Sequence, residues 1–429
     1  MKCDSLTIER PPIVATSAPA QVAPAEVHVA LPIRACFLLF VFAIPFETID
    51  VLGLVQVMTI AKFVGYVLAV LACLQPRACL RTPPAAFWWF GAYLAIYFVR
   101  GLPYVEANEL PLGVTTVAQN LLLFYIASNV LRHRGMIRWT LATFVVAMAL
   151  VALLANFGGA AMESPTSGRR TALGQDHNYL GFIYGMAVIA VLGLMAGRWR
   201  SWVWALSAVP LLALLGAQWV ATGSRGAMLA TVVGVAALAV TGRGWTGKAK
   251  MLILAAFGVA ALGWMVLRSE VAIERWKAIG KGQTGLRVEI TQECTDMVLR
   301  RPVFGWGANR HLEELASRFP DRFQVLDTHS DLFWALTATG LVGGVPFAIG
   351  LFLPLRSAFR NRATPLGPAV LALMVAMLVM GLTVNFHKRK AAWVIMAMAC
   401  AVGATTAATG PRLPGVPVGS TARASSSGF

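Results

Sequence analysis

The chain has 429 residues, of which 58% are hydrophobic and only 13% charged, and its mean hydropathy is positive. A soluble domain carries roughly twice that share of charge, so the composition excludes an ordinary soluble enzyme and predicts an all-α polytopic membrane protein. The formal net charge of +17 fits cytoplasmic arginines facing anionic headgroups and is no sign of a nucleic-acid partner.

Residues 1–32, rich in Pro and Ala and without a secretory h-region, predict a disordered cytoplasmic tail. Nine apolar runs follow over 33–267, near 33–49, 51–74, 86–103, 112–131, 136–157, 177–197, 201–221, 226–241 and 249–267, each close to the roughly 17–25 residues that cross a bilayer. Lys62 falls mid-run by count, which requires either a re-entrant stretch over 51–60 or a hydrated cavity. Asp176-His177-Asn178 opens the sixth run, with Asp176 either a helix cap or a substrate contact. In Thr222-Gly-Ser-Arg225, Ser224 can cap the eighth run and leave Arg225 in its first turn. Gly242 to Lys248 nearly spells a phosphate-binding loop, but Ala249 stands where a metal-binding hydroxyl belongs, so no ATP site is expected.

Residues 268–328 form one long polar loop with nine acidic residues, expected outside the membrane. Two helices are predicted in it, about 286–300 stopped by Pro302 and about 308–319 stopped by Pro320. Val288, Met297, Val298, Leu312 and Leu315 make them amphipathic, and a loop of this length without a core of its own reads as a lid or binding element. Thr284 can cap the first of them with Arg287 three positions on. A cation in a first turn opposes the helix dipole by roughly 0.3–1 kcal/mol. A bound phosphate would favour Arg225 and Arg287 there, where snorkelling or pairing with loop carboxylates is the plainer account.

The loop re-enters the membrane at His329-Ser330, the start of the segment 329–409 with runs at 331–355, 366–384 and 391–409. An imidazole at the mouth of an apolar helix is a functional candidate, although snorkelling above a small-residue seam has the same spacing. On one continuous helix, His329, Phe333, Leu336, Gly340 and Gly343 fall within about 40° of one line, and both glycines would admit a neighbouring helix. His387-Lys388-Arg389-Lys390 lies externally in this topology, against the positive-inside trend, where Lys388 and Arg389 can meet acidic groups. Residues 410–429 predict a second disordered cytoplasmic tail. Twelve runs put both tails on one side, and Arg77, Arg132, Arg198, Arg243 and Arg356 with their neighbours make that side cytoplasmic. No cysteine or histidine spacing for metal or a disulfide framework is present.

His329-Ser330-x9-Gly340-x2-Gly343, Ser224-Arg225-Gly226, Arg287 and Gly305-Trp306-Gly307, with twelve runs and one large loop, resemble the O-antigen ligase family. The histidine motif is shared with O-antigen polymerases and protein O-oligosaccharyltransferases. The resemblance implies transfer of a glycan from undecaprenyl-pyrophosphate to lipid A-core, on the periplasmic face of the bacterial inner membrane. His329 would be the base and Arg225 and Arg287 the catalytic phosphate ligands, while Asp176, His177, Lys388 and Arg389 would contact substrate. It implies inversion, membrane lipids as surroundings, and no metal, cofactor or nucleotide. Protein-glycosylating relatives carry a longer external C-terminal part, and this sequence ends about twenty residues past its last run, which points to the ligase. The non-enzymatic alternative is a flippase for lipid-linked glycans, which should show repeat-related halves.

Overall fold

A computed structural model describes residues 28–49, 58–104, 113–159, 161–163, 169–196, 202–241, 285–320 and 327–404, with a few isolated positions between 263 and 277. Both tails, the glycine-rich stretch 242–248, the ninth apolar run and the Thr284 cap lie wholly or largely outside these residues.

Helices occupy the other eleven apolar runs. They are α1 (Leu31–Ala43, continued by a 3-10 turn, Ile44–Phe46), α2 (Ile60–Leu74), the short α3 (Pro76–Cys79), α4 (Ala85–Gly101), α5 (Val114–Val130), α6 (Met136–Phe157), α7 (His177–Ala196), α8 (Trp202–Ala221) and α9 (Arg225–Thr241). The polar loop contributes α10 (Gly285–Arg300) and α11 (Arg310–Ser317), and the chain continues through α12 (Asp331–Arg360), α13 (Gly367–Met380) and α14 (Lys390–Ala401). The expectation of an all-α chain needs one correction. Between α6 and α7, β1 (Ala161–Glu163) pairs antiparallel with β2 (Arg170–Ala172), with Met162 opposite Thr171.

Among the described residues, α6, α7 and α12 are long and apolar enough to cross a membrane. Others are shorter: the 15 residues of α2 rise about 22 Å against a hydrocarbon layer of roughly 30 Å. Lys62 is not mid-helix. Thr59 caps α2 by accepting the amide of Lys62 at 3.3 Å, which places the lysine in the first turn.

Small residues bring α7, α9 and α13 into close contact. A Cβ on Gly234 would lie 2.6 Å from Ile189 and 2.8 Å from Ala376, and one on Gly193 would strike Ala369. α4 packs along α12 through aromatic rings, with Phe90 6.0 Å and Tyr93 4.9 Å from Phe347, and with Gly350 under Phe90.

α12 is broken at Gly340, where φ is +62° and ψ −159°. The break leaves helical amides and carbonyls without intrahelical partners, and the segment between α10 and α11 supplies them. Leu341 donates its amide to the Pro302 carbonyl at 2.7 Å and Val342 donates to Val303 at 3.1 Å; in return Trp306 and Gly307 donate to the carbonyls of Thr337 and Ala338 at 2.8 and 2.9 Å. Irregular backbone in an apolar helix survives only where such groups are matched by protein. Gly305 and Gly340 permit the contact: a Cβ on Gly305 would stand 2.6 Å from the Gly340 nitrogen, and one on Gly340 would overlap the backbone of Val303. Arg100, in the last turn of α4, donates to the carbonyl of Phe304 at 3.1 Å and to that of Gly305 at 3.4 Å.

Contrary to expectation, the α10–α11 segment has a small core of its own. Ile290, Cys294, Met297, Trp306 and Leu315 are buried together, while Val288 stays exposed. Arg318 ties the two helices, meeting Glu293 at 2.8 Å, Asp296 at 2.6 Å and Glu314 at 3.0 Å. These carboxylates hold the Arg318 pKa up against the burial that lowers it.

Candidate functional site

The first turns of α10, the chain leading into α12 and the turn after α13 line a cleft of about 260 Å³, whose lining includes Arg287, Thr291, Thr328, His329, Ser330 and Thr383. His329 sits outside α12. Its φ is +50°, a left-handed conformation that side chains other than glycine adopt at a cost of order 1–3 kcal/mol and that concentrates at functional sites. Ser330 is extended and α12 begins at Asp331. His329 and Gly340 therefore do not share a helical line, because the first lies before the helix and the second interrupts it. The seat of Gly340 is the 302–305 backbone rather than a neighbouring helix, and a Cβ on Gly343 would meet Thr339 of its own helix.

Asp331 fixes this turn. Its carboxylate accepts the backbone amides of Phe386 and His387, each at 3.1 Å, and lies 2.5 Å from His387 Nδ1, while its own amide donates to the Gly381 carbonyl at 3.0 Å. Four bonds thus pin the residue two places after His329 to the loop between α13 and α14. The basic run over 387–390 is consequently held mostly by protein partners at this same end of α12. His387 is buried on Asp331, Lys390 pairs with Glu47, Lys388 stacks 3.6 Å over Trp334, and Arg389 lies 4.4 Å over Tyr179. Burial lowers the Lys388 pKa, with Asp327 opposing. Neither Lys388 nor Arg389 lines the cleft.

On the other side, Asp176 is a helix cap: its Oδ1 accepts the amides of Asn178 at 2.9 Å and Tyr179 at 3.0 Å, with His177 as first residue of α7. Ser224 caps α9 by accepting the Ala227 amide at 3.4 Å, which leaves Arg225 in the first turn. Asn178 joins the two caps, accepting the Ser224 hydroxyl at 3.2 Å and Arg169 Nη2 at 2.9 Å; Arg169 Nε also reaches the Thr222 carbonyl at 3.0 Å. Arg169 is buried. Gly226 lets the start of α9 approach Thr383 on the cleft wall, where a Cβ would stand 2.5 Å from the hydroxyl.

The charges read each other across this space. Burial lowers the His329 pKa from its ordinary 6.5; Asp327 and Asp176 pull it back up and Arg287 pushes it further down. The Arg287 pKa is lowered by surrounding protein and then by the like charge of Arg225, with Asp176 opposing. Since much of Arg287 is open to solvent, its charged neighbours tell more here than its burial. His329, Arg225, Arg287 and Asp176 are thus one electrostatic group, at a half-buried imidazole that favours the neutral form at pH 7.

Asp331, Asp327, Arg169 and Asn178 were missed from the sequence. Asp331 had a signal, standing two places past His329 at a helix start, and Arg169 had one as an arginine in a short connection on the side where the topology disfavours basic residues. Among the described residues no three His, Cys, Asp or Glu side chains gather as metal ligands.

Residues 210–348 match a family model described as O-antigen ligase. The stretch contains Arg225, Arg287, the 302–307 segment, His329 and Gly340, and leaves Asp176, His177, Lys388 and Arg389 outside. No curated protein matches the chain.

Proposed function

We propose, from the match of residues 210–348 to the O-antigen ligase family model, that the chain transfers a glycan from an undecaprenyl-pyrophosphate carrier to lipid A-core, at the periplasmic face of the bacterial inner membrane. Members of the family are glycosyltransferase-like ligases and polymerases that act on lipid-linked glycans. The observation that carries the proposal is His329 beside Arg287 in one cleft, its pKa below the ordinary imidazole value.

A glycosyl pyrophosphate has its leaving group installed, so the transfer requires a base for the acceptor hydroxyl and cations for the departing phosphates. Neutral His329 takes the acceptor proton as the hydroxyl oxygen bonds to the anomeric carbon. The bond from that carbon to the pyrophosphate oxygen breaks, and its electron pair leaves on the pyrophosphate, which Arg225 and Arg287 hold. Single displacement inverts the anomeric centre. Arg287 serves twice in this scheme, keeping the base neutral before transfer and meeting the anion after it. Asp327 and Asp176 favour the imidazolium that forms. Asp331 does not face the reaction and acts by fixing the His329 turn. No step calls for a metal or nucleotide.

The test is reconstitution of the purified protein in liposomes with labelled lipid-linked glycan and, separately, lipid A-core, a second lipid-linked glycan, or a peptide. Formation of glycosylated lipid A-core that falls about 10²–10⁴-fold in His329→Ala is expected. Product only with the second lipid-linked glycan or the peptide would make the chain a polymerase or a protein glycosyltransferase. Movement of unaltered label across the bilayer would make it a transporter.

A further inference from the structure

The end of the molecule opposite the His329 cleft has a built feature of its own. Arg356 lies near the far end of α12, 25 residues beyond Asp331 and 16 beyond the break at Gly340, and the continuous helix from Gly340 to Arg356 alone rises about 24 Å. There the start of α4 and the ends of α12 and α14 enclose a cleft of about 320 Å³, lined by Ala85, Ala86, Arg356, Ser357, Arg360 and Cys400, among others.

Every charge on it has one sign. Arg356 and Arg360 are one turn apart on α12, so they face the same way, and neither has a carboxylate partner among the described residues. Arg132 stands within electrostatic reach of Cys400 on the cleft wall and of Arg81, and the like charge of Arg81, after burial, lowers its pKa. α4 begins here behind Pro84, with no side chain capping it and no acidic residue in its first turn, so its positive dipole end adds to the arginines. All described carboxylates lie on elements of the other end: Glu47 against Lys390, Asp176, Asp327 and Asp331 around His329, and the rest on the β1–β2 pair or the α10–α11 segment.

The surface beside the cleft is a lipid-facing one. Trp88 is 65% and Trp89 39% exposed near the start of α4, and Phe352, one turn before Arg356, is 57% exposed on α12. Exposed aromatic rings just inside a ring of arginines mark the depth at which headgroups meet hydrocarbon.

We propose that this cleft binds the phosphodiester headgroup of an acidic phospholipid, with the Arg356 and Arg360 forks and the first amides of α4 on the phosphate oxygens and the acyl chains along the exposed aromatic face. Charge complementarity selects the anion, and the adjoining apolar surface selects a lipid over a soluble phosphate. The site is distinct from the His329 cleft and does not depend on the transfer reaction.

Native mass spectrometry of the full chain from detergent, after mixing with equal phosphatidylglycerol and phosphatidylcholine, tests this. The wild-type protein should retain phosphatidylglycerol, and the R356A/R360A variant should retain it about thirtyfold less, the loss of about 2 kcal/mol for two arginines near an anionic surface. R134A/R138A, which removes the same charge from exposed positions on the same side, is the control, and all proteins should melt alike in neutral lipid. Equal loss in the control would overturn the site in favour of general surface charge. Equal retention of both lipids by wild type, or displacement of the lipid by millimolar inorganic phosphate, would overturn the selectivity.

Discussion

Two regions of this protein depend on glycine, and they depend on it for different reasons. Between α7, α9 and α13 the glycines stand in regular helices and their hydrogen atoms admit neighbouring side chains, as Gly234 admits Ile189 and Ala376. At the joint between α12 and the 302–307 segment, two glycines at φ near +60° press backbone against backbone. Side chains can give by a few tenths of an ångström; hydrogen-bonded peptide groups cannot. A small-residue pattern in a membrane helix therefore says little about what the residue does until its backbone angles are known.

The contrast is sharpest under substitution. Gly340→Ala asks an L-residue to adopt a conformation essentially reserved for glycine and to overlap Val303, so a destabilisation on the order of 3 kcal/mol or more is expected, read as loss of folded protein in detergent melts. Gly305→Ala should behave alike. Gly234→Ala in the seam should cost about 1–3 kcal/mol and leave folded, active protein. Equal melting temperatures for Gly340→Ala and Gly234→Ala would abolish the distinction.

The two regions also face His329 with opposite charges, Arg287 from the joint side on α10 and Asp176 from the seam side, capping α7. If neutral His329 is the base, transfer falls as pH drops through its lowered pKa, so the acid limb of kcat/KM lies below 6.5. Arg287→Ala removes a cation that lowers this pKa, and the limb should move up toward 6.5 beneath a reduced maximum. Asp176→Asn keeps a good helix cap while deleting an anion that raises the pKa, so the limb should move down. Shifts up to about one unit are expected, equivalent to ~1.4 kcal/mol; limbs that move the same way in both variants would remove His329 as the titrating base.

The smallest effect is that of Arg100→Ala. Its two bonds to the 304 and 305 carbonyls are partly solvent-exposed, and their loss should lower stability by about 1 kcal/mol. The Gly305–Gly340 contact should persist, measurable as an unchanged cross-link between cysteines at exposed Phe304 and Leu341.

Much of this was legible beforehand where one segment decides the outcome. The apolar runs place eleven of the helices, Pro302 and Pro320 bound those of the loop, and Ser224 announces the cap that carries Arg225. The match over residues 210–348 is to the family that the His329 motif resembled. What escaped was set by distant partners. Nothing local distinguishes Gly340 from Gly343, yet only the first meets residues 302–305. Asp331 reads as an ordinary first-turn acid until the 386–387 amides arrive, and nothing local in the 387–390 run names Asp331 and Glu47 as the partners of His387 and Lys390.

The joint at Gly340 also has an order built into it. Its four cross-segment hydrogen bonds pair peptide groups on either side of the turn that bears His329, with the 302–307 half emerging from the ribosome first. When Leu341 and Val342 are made, the carbonyls they need already exist a few dozen residues upstream. α12 therefore never has to expose a gap to lipid while awaiting a later part of the chain. A permuted gene that placed the loop after the last helix would reverse that sequence, presenting a broken apolar helix to the bilayer before its second half was synthesised.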